Sequence, residues 1–402
     1  MSDALPIHNA IALLPLTGDV GSAVRALGWE WAIEDACATY VAREAVRLPE
    51  ADADALLAAA DTLYELFAAA IPDPIPDDFL RRLAIAPNLW EAVRHSWADE
   101  RHPHLYGRFD LAFPPEGPKL LEFNADTAFS LPETAVVQWA SLVAAGEADD
   151  ERQANGLFEG LETQLRHWRE ANDDLDPSLL LVHLPDWPED AANCAVVAEA
   201  ARAAGFADVH VAAVDAMQVA ASGDDRGVWA ETEPGEWQQF SFVFKLVPWE
   251  TLAEEEPELL ADLTQLLLTR AVVVANPAYA LLFQSKALLT VLWEQFPHHP
   301  LLLETVAEPA TLSGHAVRKP VLGREGQNVT ELLDGRSLSE VPGDYSHQPV
   351  IQQRWVELPT DAQGRRYQAG VFWAGEGCAI GFRRDAGLIT TLSEFVPHRL
   401  DD

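Results

Sequence analysis

The sequence predicts a mixed α/β (α+β) fold with a helical N-terminal region, and three patterns support this prediction. Between about residues 28 and 100, apolar residues recur at helical spacing. From about residue 178, two short apolar runs flank a helical segment, which is the pattern of a βαβ unit in a parallel sheet. Toward the C-terminus, strand-like runs alternate with glycine-containing turns, as they do in β-hairpins.

The first half of the chain is assigned in order. AVRLPEADADALLAAADTLYELFAAAI is predicted to be helical up to Pro72, and DDFLRRLAIAPNLWEAVRHSWADE is predicted to be helical with an interruption near Pro87. HLYGRFDLAF and KLLEFNAD are predicted strands on either side of the turn-forming PPEGP. Helices are then expected over about 132–145 and over QANGLFEGLETQLRHWREAN.

The second half begins with the βαβ pattern. LLLVHL and DVHVAAV are predicted strands joined by the helix EDAANCAVVAEAARAAGF, which ends at Gly205, and GVWAET and QQFSFVFKLV are further strands. One helix is expected over 276–296, with Asn276 as its cap and a proline behind it. HAVRKPVLG, PVIQQRWVEL and RYQAGVFWAGEGCAIGFRRD are predicted strands and hairpins.

Composition excludes several classes of protein. The chain of 402 residues has a formal charge of −37, and such a field repels nucleic acid and anionic membranes. This acidity suits a cationic substrate such as a polyamine, although solubility or a salty cytoplasm explains it more often. No apolar run is long enough to span a bilayer, and the N-terminus lacks a basic leader, so we expect a cytoplasmic protein. The three cysteines, including Cys37 in a predicted helix, are too dispersed for a disulfide framework or a zinc cluster.

Polar residues on the two strands around PPEGP form the first candidate site. Arg108-x-Asp110 and Glu122-x-Asn124-x-Asp126 have period two, so each set is expected on one face of its strand. In the simplest antiparallel register, Asp110 lies opposite Glu122 and Arg108 lies opposite Asn124.

The same register has Phe113 and Lys119 closing the turn. Facing carboxylates repel each other unless a cation lies between them, and carboxylate and amide oxygens suit Mg²⁺. The spacing fits a magnesium site and a solvent-facing polar hairpin equally well.

Lysine is scarce, with four lysines against 23 arginines, so each remaining lysine is a functional candidate. Lys319 ends a predicted strand and precedes a loop with Gly323 and Gly326, an arrangement that brings backbone N–H groups and an ammonium to phosphates. The alternative is an ordinary glycine turn. For Lys286, next to an apolar helical stripe, an exposed helical position is the simplest interpretation.

Three weaker candidates remain. Lys245 lies at the end of a buried strand, where ligands often meet α/β sheets. Arg383 and Arg384 form a pair on a late strand, for which a surface ion pair is the alternative. His102-x-His104 has no third ligand nearby in the sequence, so we interpret it as a loop.

Several blocks, in this order, resemble the glutathionylspermidine synthetase family, a group of ATP-grasp carbon–nitrogen ligases. The most similar blocks are YGRFDLAF, KLLEFNADTAFSLPETAVVQW, KLVPWE, LLFQSKALLTVLWEQFPHHPLLLE, VRKPVLGREGQNV and GFRRDAGLITTLSEFVPH. They are spread over most of the chain. LEFNADT and RKPVLGREGQNV are the most specific.

The resemblance implies an ATP-grasp fold and a set of site residues. Asp110, Glu122 and Asn124 would bind Mg²⁺, with two ions expected, and Arg108 would stabilise the transferring phosphoryl group. ATP would be contacted by Lys286, Lys319, Gly323, Arg324, Glu325, Gly326, Gln327, Asn328, Gln352 and Gln353. The acid or amine substrate would be held by Thr127, Glu189, Glu250 and Arg383.

The resemblance also implies the regions of the chain. These are a helical N-terminal region (1–105), a metal-binding hairpin with helices of the ATP-grasp core (106–175), a βαβ pre-ATP-grasp region (176–260) and an ATP-binding region (261–402). The chain is too short for the amidase domain of bifunctional members. Arg384 stands where the family often has an acidic residue, and Phe129 where it has a small polar one.

The expected function is therefore ATP- and Mg²⁺-dependent amide formation, in which a carboxylate is activated as an acyl phosphate and attacked by an amine. Glutathione or a similar peptide is the expected acid, and a polyamine-like compound is the expected amine. The alternatives are a peptide or amino-acid ligase on the same scaffold and a non-catalytic ATP-binding regulatory protein. The sequence makes no prediction of the oligomeric state.

Overall fold

A computed structural model describes residues 10–29, 40–147, 152–185, 187–390 and 392–401. Its α-helices are α1 (Val20–Ala26), α2 (Glu50–Ala70), α3 (Asp77–Arg82), α4 (Trp90–Ala98), α5 (Gln138–Ala145), α6 (Leu157–Glu170), α7 (Pro188–Ala203), α8 (Trp249–Glu255), α9 (Pro257–Leu268), α10 (Ala280–Gln284) and α11 (Leu288–Gln295). A π-helical turn over Glu133–Val137 precedes α5. Within the described ranges, no helix combines the length and apolar character needed to cross a bilayer.

The predicted strands are present in the predicted order, together with others that the sequence did not predict. In the first two-thirds of the chain they are β1 (Leu13–Pro15), β2 (Glu44–Pro49), β3 (Gly107–Ala112), β4 (Lys119–Asn124), β5 (Ser178–His183), β6 (Asp208–Ala213), β7 (Met217–Ala220), β8 (Gly227–Glu233), β9 (Glu236–Phe240), β10 (Phe242–Lys245) and β11 (Val273–Ala275). The remainder are β12 (Thr305–Ala307), β13 (His315–Pro320), β14 (Thr330–Leu333), β15 (Arg336–Glu340), β16 (Val350–Arg354), β17 (Arg366–Trp373), β18 (Gly377–Asp385), β19 (Glu394–Val396) and β20 (His398–Asp401).

Two antiparallel five-stranded sheets and one parallel four-stranded sheet form the largest part of the fold. The parallel sheet has the order β11-β10-β5-β6, and the βαβ prediction is confirmed because α7 joins the parallel pair β5 and β6. One five-stranded sheet has the order β12-β16-β13-β14-β15. The other has the order β19-β18-β17-β3-β4, so the hairpin at residues 107–124 and the late hairpin at 366–385 form one sheet. The predicted mixed α/β class is therefore confirmed.

Helix α2 covers one face of this second sheet and builds a large part of the core. Its buried residues Leu56, Leu63 and Phe67 recur at helical spacing, as predicted, and the helix ends before Pro72. Phe67 meets Phe109 of β3 edge-on, with ring centroids 5.9 Å apart, and Phe109 stacks on Phe123 of β4 at 3.8 Å. The hairpin is thus fixed to the core through its apolar face, which leaves its polar face for the site.

Two element predictions were wrong at their edges. Glu44–Pro49 was expected to begin a helix, but it forms strand β2 between β1 and β20 because Val46 and Leu48 are buried while Arg47 and Pro49 are exposed, an alternation typical of a strand. QQFSFVFKLV was expected as one strand, but it divides at Ser241 into β9 and β10, which belong to different sheets. The predicted helix at Cys37 lies outside the described residues.

The single helix expected over 276–296 is also wrong, because it is broken into α10 and α11 at residues 285–287. Asn276 is not its cap. Its buried side chain donates to the backbone carbonyls of Tyr106, Ala125 and Asp126 and accepts from the N–H of Leu105. These bonds join the segments that enter and leave the β3–β4 hairpin.

Candidate active site

A cavity of about 730 Å³ is lined by residues of both five-stranded sheets and of the loops that follow β5 and β13. Most of the predicted site residues lie on its wall, namely Arg108, Asp110, Glu122, Asn124, Thr127, Glu189, Lys286, Lys319, Gly323, Arg324, Glu325, Gly326, Gln327, Gln353 and Arg383. The predicted Glu250, Asn328 and Gln352 are not among the described residues that line it. Segments that are far apart in the sequence therefore converge here.

The predicted pairing of the hairpin is confirmed at the site itself. Arg108 is paired with Asn124, and Asp110 is paired with Glu122. The prediction that Phe113 and Lys119 close the turn is wrong.

A β-bulge explains the altered turn. It follows the Asp110–Glu122 pair and leaves Leu121 as the extra residue of β4, so Ala112 is paired with Lys119 instead. Because the bulge lies between the site and the turn, it does not alter the register of the polar residues.

The bulge also supplies a hydrogen-bond acceptor for Lys319. The carbonyl of Leu121 accepts a 3.1 Å hydrogen bond from Nζ of Lys319, which also donates to Oε1 of Gln353 at 2.9 Å. Burial lowers the pKa of Lys319 to about 8, and the nearby Lys286 contributes to this shift, while Glu122 opposes it. The ammonium of Lys319 is thus held at the cavity wall by neutral oxygen atoms.

The interpretation of Lys286 as an exposed helical residue is wrong. Its side chain is only 6% exposed, and its backbone N–H donates to the carbonyl of Val321 at 2.9 Å because the helix is broken there. Its Nζ lies 3.2 Å from Oε2 of Glu122 and donates to the carbonyl of Gly323 at 2.7 Å. The break in the helix therefore directs the side chain of Lys286 into the cavity.

The two carboxylates already have cationic partners. Arg108 binds Asp110 through two hydrogen bonds, Nε to Oδ1 at 2.7 Å and Nη2 to Oδ2 at 3.1 Å, and its Nη1 donates to the carbonyl of Phe129 at 2.7 Å. Burial alone would raise the pKa of Glu122, but Lys286 and Lys319 outweigh it and lower that pKa to about 2. The expectation that Asp110 and Glu122 repel each other across an open gap is therefore wrong for this arrangement.

Gly370 makes room for Arg108. This residue of β17 is paired with Asp110, and a Cβ at this position would lie 2.9 Å from Cδ of Arg108. A side chain there would displace the guanidinium from the Asp110 carboxylate. The glycine is thus required by the close approach of one side chain across neighbouring strands.

The loop over 323–328 is tied to the opposite wall of the cavity. Arg324 donates to Oε1 of Glu250 through Nε at 3.0 Å and Nη2 at 2.6 Å, and to Oγ1 of Thr127 at 2.7 Å. Glu325, Gly326 and Asn328 have positive φ angles of 58°, 72° and 54°. This backbone forms tight turns that direct Arg324 across the cavity. Glu250 therefore binds Arg324 and does not itself line the cavity among the described residues.

Gln352 and Asn328 have structural contacts instead. Neighbouring strand residues face opposite sides, so Gln353 points to Lys319 while the Oε1 of Gln352 accepts from the N–H of Leu312 at 3.0 Å. The Oδ1 of Asn328 accepts from the N–H of Tyr345 at 2.8 Å. Both side chains stabilise loops around the cavity.

The prediction that Asp126 lies on the same strand face as Glu122 and Asn124 is wrong. Strand β4 ends at Asn124, so the period-two alternation does not continue, and Asp126 forms a fully buried ion pair with Lys245 at 2.7 Å. Its second carboxylate oxygen accepts from the N–H of Trp249 at 2.9 Å, and the Lys245 ammonium lies 4.5 Å from the Trp249 ring. This cluster fixes the segment that follows strand β4 of the hairpin.

A second polar group lies at the far end of the cavity. Arg383 donates to Oγ of Ser130 at 2.8 Å and to Oη of Tyr40 at 2.9 Å, and Tyr40 donates to the buried carboxylate of Glu133. Burial, and then Glu133, raise the pKa of Glu189 to about 7. Tyr40 and Glu133 were not identified from the sequence. Tyr40 lies outside the similar blocks, and Glu133 lies within one of them but outside its most specific part, LEFNADT.

Arg384 is directed away from the cavity. It forms ion pairs of 2.6 Å with Glu44 and with Glu394, and its side chain is 4% exposed. The pair Arg383–Arg384 therefore has one residue in the site and one in a buried ion-pair network, as alternation along β18 requires.

A comparison with protein families finds a match over nearly the whole chain. The family described as glutathionylspermidine synthase preATP-grasp matches residues 14–401. The chain belongs to this family. The resemblance seen in the sequence is confirmed, and so is the expectation of an enzyme of the carbon–nitrogen ligase class.

Two relatives illustrate the range of the family. A protein of Haemophilus influenzae with the provisional name acid–amine ligase is 30% identical over 322 residues, which cover 77% of each chain. The bifunctional glutathionylspermidine synthetase/amidase of Escherichia coli is 27% identical over 344 residues, which cover 80% of this chain and 53% of the relative. The chain thus spans about half the length of the bifunctional relative.

The fold is also similar to a solved structure. A glutathione synthetase-like effector from Globodera pallida superposes with a TM-score of 0.52 at 10% identity, covering 89% of each chain. At this identity the similarity concerns the fold alone.

Proposed function

We propose that this protein is an ATP- and Mg²⁺-dependent acid–amine ligase that activates a carboxylate by phosphorylation and joins it to an amine. The observation that carries the proposal is the convergence of three cations, Arg108, Lys286 and Lys319, with the carboxylates of Asp110 and Glu122 on one cavity wall. Phosphoryl transfer needs charge neutralisation and positioning rather than a protein nucleophile. The charged side chains of this wall are suited to both charge neutralisation and positioning.

The donor set of the hairpin fits Mg²⁺. Asp110 and Glu122 offer carboxylate oxygens and Asn124 offers an amide oxygen, which are the ligands of hard divalent cations. Nδ2 of Asn124 donates to Oδ2 of Asp110 at 3.2 Å, so the two side chains lie together on one face of the hairpin, and Asn124 would bind a metal ion through its amide oxygen. Mg²⁺ held here would neutralise charge on the phosphates of ATP.

The protein groups have distinct roles in this proposal. Lys286 and Lys319 bind the nucleotide phosphates, and the backbone N–H groups of 323–328 cover them. Arg108 stabilises the negative charge that develops on the transferred phosphoryl group. Closure of the loop excludes water, which would otherwise hydrolyse the activated acid.

We assign the far end of the cavity to the acid and amine. The guanidinium of Arg383, held by Ser130 and Tyr40, suits a carboxylate, and the acidic group of Glu189, Asp190 and Glu325 suits an amine cation. Peptides such as glutathione and polyamine-like amines have these charges. Formation of the amide between the two substrates needs no covalent bond to the enzyme.

A coupled assay tests the proposal. ADP release is measured with Mg²⁺-ATP across a panel of peptides and amino acids combined with polyamines and simple amines, and mass spectrometry identifies the product. We expect ADP release only when an acid and an amine are both present, with one amide formed per ADP. Nucleotide binding without ADP release for any pair would instead support a non-catalytic ATP-binding protein, and an amino-acid product would support a peptide ligase.

A further inference from the structure

A second cluster of ligand-type side chains lies outside the cavity, where α4 ends and the segment leading to β3 begins. His95 and Asp99 are four residues apart, so their side chains project from the same side of the helix end. His102 follows in a turn in which its N–H donates to the carbonyl of Asp99 at 3.1 Å. One ring nitrogen of each histidine and one carboxylate oxygen of Asp99 lie within 4.8 Å of one another.

Both imidazoles have a buried nitrogen that lacks a contact. Over the part of the chain that the structure describes, Nε2 of His95 and Nδ1 of His102 have no hydrogen-bond partner. His102 is only 4% exposed, so water does not compensate for this loss. The neutral imidazole nitrogen is the commonest protein ligand of metals, and these two nitrogens have no competing hydrogen bond among the described residues.

We propose that His95, Asp99 and His102 bind a divalent transition-metal cation of the zinc class. Two imidazole nitrogens and a carboxylate oxygen are a common zinc donor set, whereas Mg²⁺ prefers oxygen ligands. In a tetrahedral site with bonds of about 2.1 Å, ligand atoms lie about 3.4 Å apart. The ligand atoms, which lie within 4.8 Å of one another, would move together by up to about 1.4 Å to reach this geometry, and a fourth position is left for water.

The charges around the cluster permit a cation. The guanidinium of Arg270 lies 3.6 Å from Asp99, but its side chain is 61% exposed and is free to move into solvent. Arg101 is directed away, because its guanidinium binds Asn172 and Asp174 at 2.8 Å and 2.6 Å. A bound cation would therefore replace Arg270 as the partner of Asp99.

The position of the cluster indicates a structural role. A cation would join the end of α4 to the segment that enters β3, the strand that carries Arg108 and Asp110. None of its three proposed ligands lines the cavity within the described ranges. The inference is thus independent of the proposed ligase activity.

Calorimetric titration of the full, EDTA-treated chain with Zn²⁺ tests the site. Excess Mg²⁺ is included to occupy the carboxylates of the cavity. We expect one Zn²⁺ per chain, and at least about 10-fold weaker binding in His95→Gln, Asp99→Asn and His102→Gln, since even outer-shell changes weaken metal sites 10–100-fold. The exposed His347→Gln is the matched control and should bind as the wild type does.

Thermal unfolding provides a second measurement. Zn²⁺ should raise the Tm of the wild type and of His347→Gln but not that of Asp99→Asn, whose partly exposed, isosteric change preserves the fold. Asp110→Asn, in the cavity, should bind Zn²⁺ as tightly as the wild type. Absence of binding to the wild type, equal binding by the three ligand variants, or loss of binding in Asp110→Asn would each overturn the proposal.

Discussion

Lys286 and Glu122 form an ion pair at the cavity wall, with Nζ 3.2 Å from Oε2. The same ammonium donates to the carbonyl of Gly323, so one side chain links the β3–β4 hairpin to the loop over 323–328. A nucleotide phosphate that binds at this wall would contact the Lys286 ammonium, whose position is already fixed by these contacts. Preorganisation of this kind lowers the cost of ordering groups during binding.

Lys286→Met and Lys319→Met are each expected to weaken ATP binding, because each removes a positive charge from the phosphate site while the aliphatic part of the side chain is kept. Isothermal titration with a non-hydrolysable ATP analogue and Mg²⁺ measures the loss, and circular dichroism checks the fold. The half-buried Lys119→Met serves as the control, since Lys119 does not line the cavity among the described residues. Unchanged affinity in both variants would refute the assignment.

Arg108→Ala is expected to lower kcat about 10²–10³-fold, the usual effect of losing one preorganised donor at a developing charge. The affinity for ATP should change little, because Lys286 and Lys319 remain. Steady-state kinetics with the best substrate pair separate kcat from KM. A large rise in the KM for ATP with unchanged kcat would instead assign Arg108 to ground-state binding.

Asp110→Asn is expected to abolish Mg²⁺-dependent turnover and to destabilise the protein by about 1–3 kcal/mol, the cost of leaving a buried charged group without its partner. The reason is that Arg108 loses its carboxylate, with which it forms two hydrogen bonds. Urea unfolding measures the change. A variant as stable as the wild type would show that the Arg108–Asp110 pair contributes nothing to folding.

Glu189 should make amine binding depend on pH. Its pKa is raised to about 7 by burial and by Glu133, so the side chain becomes an anion only as pH rises through about 7. If it binds the amine cation, the KM for the amine should fall over this range in the wild type, and this fall should be absent in Glu189→Gln.

The same shift has a consequence for stability. Between the ordinary pKa of Glu and about 7 the folded state binds more protons than the unfolded state, so this group makes stability fall as pH rises. Glu189→Gln should therefore show a weaker loss of stability between pH 5 and pH 8, measured by urea unfolding. Parallel pH profiles of the two proteins would contradict the assignment.

The loop over 323–328 is predicted to open without ATP and to close with it. In the closed form Arg324 binds Glu250 and Thr127, so Glu250→Gln should weaken closure. Hydrogen exchange of the loop amides should be slowed by Mg²⁺-ATP in the wild type and less so in the variant. Equal exchange with and without nucleotide would show that the loop does not move.

Local sequence patterns were enough to predict the class of fold, the order of most elements and the pairing of Arg108 with Asn124 and of Asp110 with Glu122. These features depend on local periodicity and on a short turn, which neighbouring residues specify. The sequence also selected Lys286 and Lys319, through the scarcity of lysine and the resemblance of short motifs.

Which of these side chains contact one another depends on the three-dimensional packing of distant segments. Lys286 appeared exposed because a helical pattern does not reveal a break that depends on the distant Val321. Asp126 followed the alternation in sequence, yet it binds Lys245, a residue 119 positions away. Sequence analysis found no third ligand near His102-x-His104, although His95 and Asp99 precede it by a few residues, because the unpartnered nitrogens that suggest a metal site arise from burial under other elements. Long-range packing sets such contacts, and a linear pattern does not encode them.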